Sequence, residues 1–331
     1  MDPLTHTATG LFLSRAGLNR VTPQAAPILL LAANAPDIDI VTTVGGSLNY
    51  LHYHRHLTHS LVAMPVIAIL PVLLVWAVTR APIRWAGAFL ASLAAVVSHL
   101  LLDYTNVYGI RLFLPFSGAW LRLDLTPVID PWIWAFFLLC LAGPFLARLV
   151  TSEITSGKPR PAHHGRGFAC LALAFLLIYN CGRSVLHARA VATLESLLYE
   201  GEAPVRVAAM PTFNPLEWRG LVETRESYQL EEVDLAGRFD PGRGLTLHKP
   251  VPDPAIEAAR ATPAFQTFLA FSQFPFWRAT PVSEPENGRK VEVFDLRFGT
   301  PLQPGFMVAA VVDERGRVVT TAFQFGAPRP R

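Results

Sequence analysis

Apolar residues run almost unbroken through four stretches of the first 190 positions, about Ser60 to Thr79, Trp85 to Leu102, Trp132 to Val150 and Phe168 to Leu186. Each is close to the roughly 17 to 25 residues that a helix needs to cross a bilayer. Pro65, Pro71 and Pro144 fall inside these runs, which membrane helices tolerate when neighbours satisfy the freed backbone groups. Trp76, Trp85, Trp132 and Trp134 stand near the proposed ends, where aromatic rings anchor at the interface. Upstream, two shorter runs predict a helix that stops at Gly17 and a second over Ala25 to Ala35. For the second, Thr22 is the expected N-cap, Pro23 the first helical residue and Pro36 the stop. Both are too short to span, so they form an N-terminal hairpin that places His6 beside Asp37 and Asp39.

The pattern changes near Ala190. Apolar runs shorten, charges return, and residues alternate in Val291 to Leu296 and Met307 to Val312. Asp313-Glu314-Arg315-Gly316 reads as a hairpin turn. Ala255 to Phe274 is more helical, and Lys249 to Pro254 is a proline-rich loop. The expected architecture is an α-helical integral membrane bundle of four spans plus the short N-terminal helical hairpin (residues 1–189), then a C-terminal α+β extramembrane domain (190–331).

Composition reinforces this reading. Hydrophobic residues make up 51% of the chain and charged residues 16%, with mean hydropathy +0.34, too apolar for an ordinary soluble enzyme. The lipid bilayer is therefore the first expected partner. The net charge of +3, with no basic cluster interleaved with aromatics, excludes nucleic acid as a partner. Arg80, Arg84, Arg148, Lys158, Arg160 and Arg166 crowd the connections after the first and third spans. The positive-inside rule makes that side cytoplasmic and the C-terminal domain outward. Cys140, Cys170 and Cys181 lie within apolar runs and read as small core residues.

Polar exceptions in so apolar a chain carry the chemistry. His54-Arg55-His56-Leu57-Thr58-His59-Ser60 precedes the first span, and His99-Leu100-Leu101-Leu102-Asp103 ends the second. His99 and Asp103, four apart, share one helix face and can bind one metal ion. The turn Arg80 to Arg84 is so short that the two helices must run antiparallel, bringing His59 to His99 and Asp103. With His6, Asp37, Asp39 and His54 these residues form a candidate site for one or two divalent metal ions. Mixed imidazole and carboxylate donors suit zinc foremost, then manganese or iron. Two adjacent ions suit hydrolysis of a phosphate ester.

Asp39 and His56 are the candidate catalytic groups, although His56 equally suits a ligand, a contact to an anionic substrate, or solvent. Arg55 can meet the same anion. Thr58 and Ser60 orient neighbours or cap the helix, and neither reads as a nucleophile. Asp130, followed by Pro131, reads first as an N-cap; the alternative is that Asp124 and Asp130 orient histidine ligands. Asn106, Tyr108 and Gly109 would shape the mouth.

These stretches resemble a known family. Asp2 to Gly10, Pro36-Asp37-Ile38-Asp39, His54-Arg55-x-x-Thr58-His59-Ser60 and His99-x-x-x-Asp103-x-Thr105-x-x-x-Gly109 are similar to bacterial membrane-bound metal-dependent hydrolases of the YdjM/YbcI type. The likeness covers about residues 1–150. It implies a multi-pass inner-membrane protein with a metal-bound hydrolytic centre and His6, Asp37, His54, His59, His99 and Asp103 as ligands. His56 stands where the family is expected to carry a small residue. The resemblance supplies no substrate; a site at headgroup depth suggests a lipid or phosphoester. The rival readings are a non-catalytic, metal-stabilised membrane anchor and a partner-binding protein acting through its outer domain. Leu61 to Val78 carries no ionisable residue, which argues against a conduit.

Overall fold

The computed structural model describes residues 1–154 and 164–325; Lys158 and Arg160 of the basic connection lie outside them. Nine α-helices occur among the described residues: α1 (Pro3–Ala16), α2 (Ala25–Ala32), α3 (Ser47–Tyr53), α4 (Met64–Thr79), α5 (Trp85–Thr105), α6 (Pro131–Ile154), α7 (His164–Glu195), α8 (Pro254–Arg260) and α9 (Pro263–Phe271). Three of them, α5, α6 and α7, are long and apolar enough to cross a membrane; the number rises to five if each of two bent helix pairs counts as one span. Contacts divide the chain into two compact units, residues 1–38, 55–187 and 211–215 in one, and 39–54, 188–210 and 216–331 in the other. The expected boundary at 189/190 thus lies close to the point where α7 leaves the first unit, while 39–54 groups with the second.

In the first unit, α1 starts where Asp2 accepts from Leu4 N and Thr5 N, and it stops at Gly17 (φ 148°). α2 departs from expectation. It begins at Ala25 after Gln24 in the left-handed region, because the Thr22 hydroxyl accepts the Arg84 backbone N–H at 2.9 Å instead of capping α2. α2 also ends earlier, at Ala32, and a 3-10 helix over Ala35–Gly45 carries Asp37 and Asp39. The buried face of α5 is built of small residues, Ala88, Ala91, Ser92 and Ala95, and continues into His99 and Asp103. Small side chains let helices approach closely where hydrophobic driving force is weak. Ser92 uses that proximity to donate to Ala68 O on α4 at 2.5 Å. One core gathers Leu29, Ala32, Ala68, Ala95 and Val96; a second joins Phe12, Leu102, Ile133, Phe137 and Ala172 between α1, α5, α6 and α7.

Gly10 marks the tightest approach of α1 to α2. A Cβ there would lie 2.8 Å from both Ala33 Cβ and Leu29 O, against rigid atoms with little room to yield. Gly10 sits four residues after His6 on the same helix face. Gly10→Val is therefore expected to push α1 off α2, lowering thermal stability and weakening metal binding together, as thermal unfolding and elemental analysis would show. Unchanged values for both would contradict this packing role.

The second unit contains, among the described residues, ten strands: β1 (Arg206–Pro211), β2 (Glu217–Glu223), β3 (Ser227–Asp234), β4 (Leu245–His248), β5 (Pro275–Val282), β6 (Gly288–Asp295), β7 (Gly299–Thr300), β8 (Gln303–Pro304), β9 (Phe306–Val312) and β10 (Val318–Phe325). They form two four-stranded sheets, ordered β1-β2-β3-β4 and β10-β9-β6-β5, and a two-stranded ladder β7-β8. The pairings β2-β3, β3-β4, β5-β6, β6-β9 and β9-β10 are antiparallel. The expected hairpin turn closes with Asp313 N donating to Arg317 O at 2.9 Å. α9 buries Phe265, Phe268 and Phe271, and α3 packs on α9 and β10. Cys140 is buried, whereas Cys170 and Cys181 are exposed on α7, so these two are not core residues.

Glu231 on β3 is buried, and neither carboxylate oxygen has a hydrogen-bond partner among the described residues. Burial, aided by Asp240, raises its pKa to about 7. An acid whose folded pKa lies above its unfolded value binds more protons when folded, so stability falls as pH climbs from about 4.5 through about 7. Glu231→Gln should remove that fall: melting compared at pH 5 and pH 8 should show a smaller difference than in the unsubstituted protein. An identical difference would contradict the assignment.

Candidate metal centre

Asp37, His59, His99 and Asp103 converge. One ligand atom from each lies within 4.8 Å of all the others. His59 Nε2 is 3.2 Å from His99 Nε2, and each is 3.3 Å from Asp103 Oδ2. Asp37 Oδ1 lies 3.5 Å from His59 Nε2 and 3.6 Å from His99 Nε2. The side chains of His59, His99 and Asp103 are 0% exposed and that of Asp37 22%, so of the four donors Asp37 alone has solvent exposure.

The surrounding groups aim lone pairs inward. His99 Nδ1 donates to the Ala33 carbonyl at 2.7 Å, which leaves Nε2 as the unprotonated nitrogen facing the cluster. His59 Nδ1 lies 3.0 Å from Thr58 Oγ1, leaving its Nε2 to face the cluster as well. Such contacts fix ring orientation and tautomer at metal sites. Asp103 Oδ2 is buried with no hydrogen-bond partner among the described residues. Two imidazole lone pairs and two carboxylate oxygens pointed at one another repel unless a cation sits among them. The donor set therefore fits a divalent ion.

His6 belongs to the same pocket. Its ring stacks on His99 with centroids 3.8 Å apart, and its Nε2 is 3.3 Å from Asp103 Oδ1. Neither ring nitrogen forms a hydrogen bond among the described residues. Burial, with His99 beside it, lowers its pKa to about 3, so at neutral pH the imidazole holds a free lone pair. Asp103 Oδ1 meets Arg55 at 2.7 Å and the Met1 amino group. Arg55 is itself held by Asn106 Oδ1 at 3.1 Å and Gly109 O at 3.2 Å, and its guanidinium lies over Tyr108. Asn106, Tyr108 and Gly109 thus cradle Arg55 where they were expected to shape a mouth. Gly109 (φ 82°) occupies a conformation that suits glycine.

The remaining expected residues fall as follows. His54 Nδ1 pairs with Asp39 Oδ1 at 3.0 Å. His56 is half-buried, and its carbonyl accepts the His59 N–H at 3.1 Å. Asp124 is buried and pairs with Arg122. Asp130 caps α6, accepting from Trp132 N at 2.9 Å and Ile133 N at 3.2 Å, and takes the Tyr179 hydroxyl at 2.9 Å. Asp130 thus has the N-cap role that Pro131 after it suggests. The Ala33 carbonyl was not legible beforehand, since a backbone acceptor leaves no residue-type signal.

A family model of the YdjM inner membrane protein matches residues 1–190, more than half of the chain and every residue of the cluster. The chain belongs to this family. A second model, the YfhP C-terminal alpha/beta plait domain, matches residues 254–325, from α8 through β10. The uncharacterized protein YfhP of Bacillus subtilis (strain 168) is 27% identical over 320 residues, covering 90% of this chain and 87% of that one. No solved structure matches the chain. Inner-membrane residence thus accompanies family membership, and the cluster lies inside the family's own region.

Proposed function

We propose that this YdjM-family protein is a membrane-bound metal-dependent hydrolase acting on a phosphoester or lipid-linked phosphoester at the membrane surface. The observation that carries the reading is the four-donor cluster of Asp37, His59, His99 and Asp103, closed on the side of the buried residues and open at Asp37. Zinc is the favoured ion, with manganese or iron as alternatives. A divalent ion there supplies Lewis acidity toward a phosphoryl oxygen. Around it, His59 and His99 present oriented nitrogens, Asp103 contributes charge, and His6 extends the donor set. Asp39 and His56 are proposed to handle protons. His56→Gln should keep metal content while lowering kcat.

Four spans and an outward-facing site complete the proposal. The support is charge placement: Arg15, Arg20, Arg148 and Arg166 cluster along one cavity, and α1, α6 and α7 carry them well away from His6, Asp2 and Asp130. The positive-inside rule assigns that arginine-rich end to the cytoplasm. The complete burial of three of the four donors favours a second reading, a metal that only holds the bundle together, because catalytic zinc keeps a position for water. Elemental analysis of detergent-purified protein, paired with a panel of phosphoester and lipid substrates, separates the two: metal with turnover supports the hydrolase, metal without turnover the anchor, and no metal removes both.

A further inference from the structure

At one end of the first unit, Arg15, Asn19, Arg20, Arg148 and Arg166 line a cavity of about 420 Å³ together with Phe145 and neighbouring apolar residues of α6. Helix geometry puts it far from the metal centre. His6 and Arg15 are nine residues apart on α1, about 14 Å at the usual rise. Trp134, whose indole N–H donates to Thr5 and Asp2 at 3.1 and 3.2 Å, stands about 21 Å along α6 from Arg148. Tyr179, bonded to Asp130, stands about 20 Å along α7 from Arg166.

None of the four arginines has a carboxylate partner among the described residues. Among the described residues the group makes a hydrogen bond only to backbone, Arg166 Nε to Ala16 O at 2.9 Å, and Arg166 remains part of the cavity lining. Exposed, uncompensated cations converging on one cavity suit a ligand with several acceptor oxygens, and Arg forks match phosphate geometry. Beside them α6 turns Leu138, Leu139, Phe145 and Leu146 outward, the apolar surface of a candidate span. A phosphate bound here would have its charge among arginines and its organic part against a face that meets acyl chains.

We propose that this cavity binds the phosphate headgroup of an anionic phospholipid. The site is separate from the metal centre and independent of the hydrolase reading, so failure of either leaves the other standing. The shared chemistry is phosphate, and the source is decided by comparing lipid with soluble anion. Full-length protein would be reconstituted in phosphatidylcholine nanodiscs with increasing phosphatidylglycerol, and retained lipid counted by native mass spectrometry. Arg20→Gln/Arg148→Gln alters two arginines with no ion pair among the described residues, so folding should survive, as metal content and melting can verify. Losing two charge-assisted contacts to one phosphate should make the double variant hold phosphatidylglycerol on the order of 100-fold more weakly, well beyond the general attraction of a basic surface for anionic lipid. Arg80→Gln/Arg84→Gln, which removes two charges outside the cavity, should retain it. Equal loss in both variants, or no preference over phosphatidylcholine, would overturn the site. Displacement of the lipid by millimolar inorganic phosphate would overturn the lipid assignment in favour of a soluble phosphate.

Discussion

His59→Ala protein, purified in detergent, should carry only background metal and lose hydrolysis with it. His59 Nε2 lies within 3.5 Å of Asp37, Asp103 and His99 donors, so its removal takes away a central donor and leaves the others without an ion to share. Thr58→Val provides the graded companion. It deletes the hydroxyl 3.0 Å from His59 Nδ1 while sparing all donors, and loss of such an orienting contact typically weakens metal binding by about 10- to 100-fold. Titration with zinc and elemental analysis read both effects. Full metal content in His59→Ala would end the assignment of the cluster as a metal centre, whatever the activity.

Asp103→Ala and Arg55→Ala should each destabilise the protein by about 3–5 kcal/mol, because breaking one side of a buried pair strands the other charge away from water. Both side chains are almost wholly enclosed, at 0% and 4% exposure, with Arg55 Nη2 2.7 Å from Asp103 Oδ1. Arg55→Lys should be nearly as damaging, since an ammonium cannot reproduce the fork that also reaches Asn106 Oδ1 and Gly109 O. The double variant Asp103→Ala/Arg55→Ala should cost less than the sum of the singles, as expected for residues in one network. Strict additivity in thermal unfolding would mean that the pair contributes little.

Much of the centre was legible before any coordinates. His99 and Asp103 are four apart in an apolar run, and helical periodicity alone puts them on one face. The short turn after Thr79 forces α4 and α5 antiparallel, which returns His59 to them. His6 and Asp37 followed from the N-terminal hairpin. Thr22 departed from its expected role. Its side chain suits more than one acceptor role, and the partner nearest in space decided: the Arg84 N–H claimed it away from α2, whereas Asp130, beside Pro131, does cap α6. Arg55 presented the same ambiguity, since a cation beside histidines suggests a substrate anion as readily as a buried counter-ion to Asp103.

By itself the amino-acid order determined a greasy helical region followed by an alternating, sheet-forming one, because burial periodicity is a local property of neighbouring residues. It also determined which side chains were costly enough in an apolar setting to need partners. Tertiary structure alone decided which partners those were: the Ala33 carbonyl for His99, Asp103 for Arg55, and the grouping of residues 39–54 with the second unit. Such choices depend on distances between segments far apart in the chain, and no local pattern encodes them.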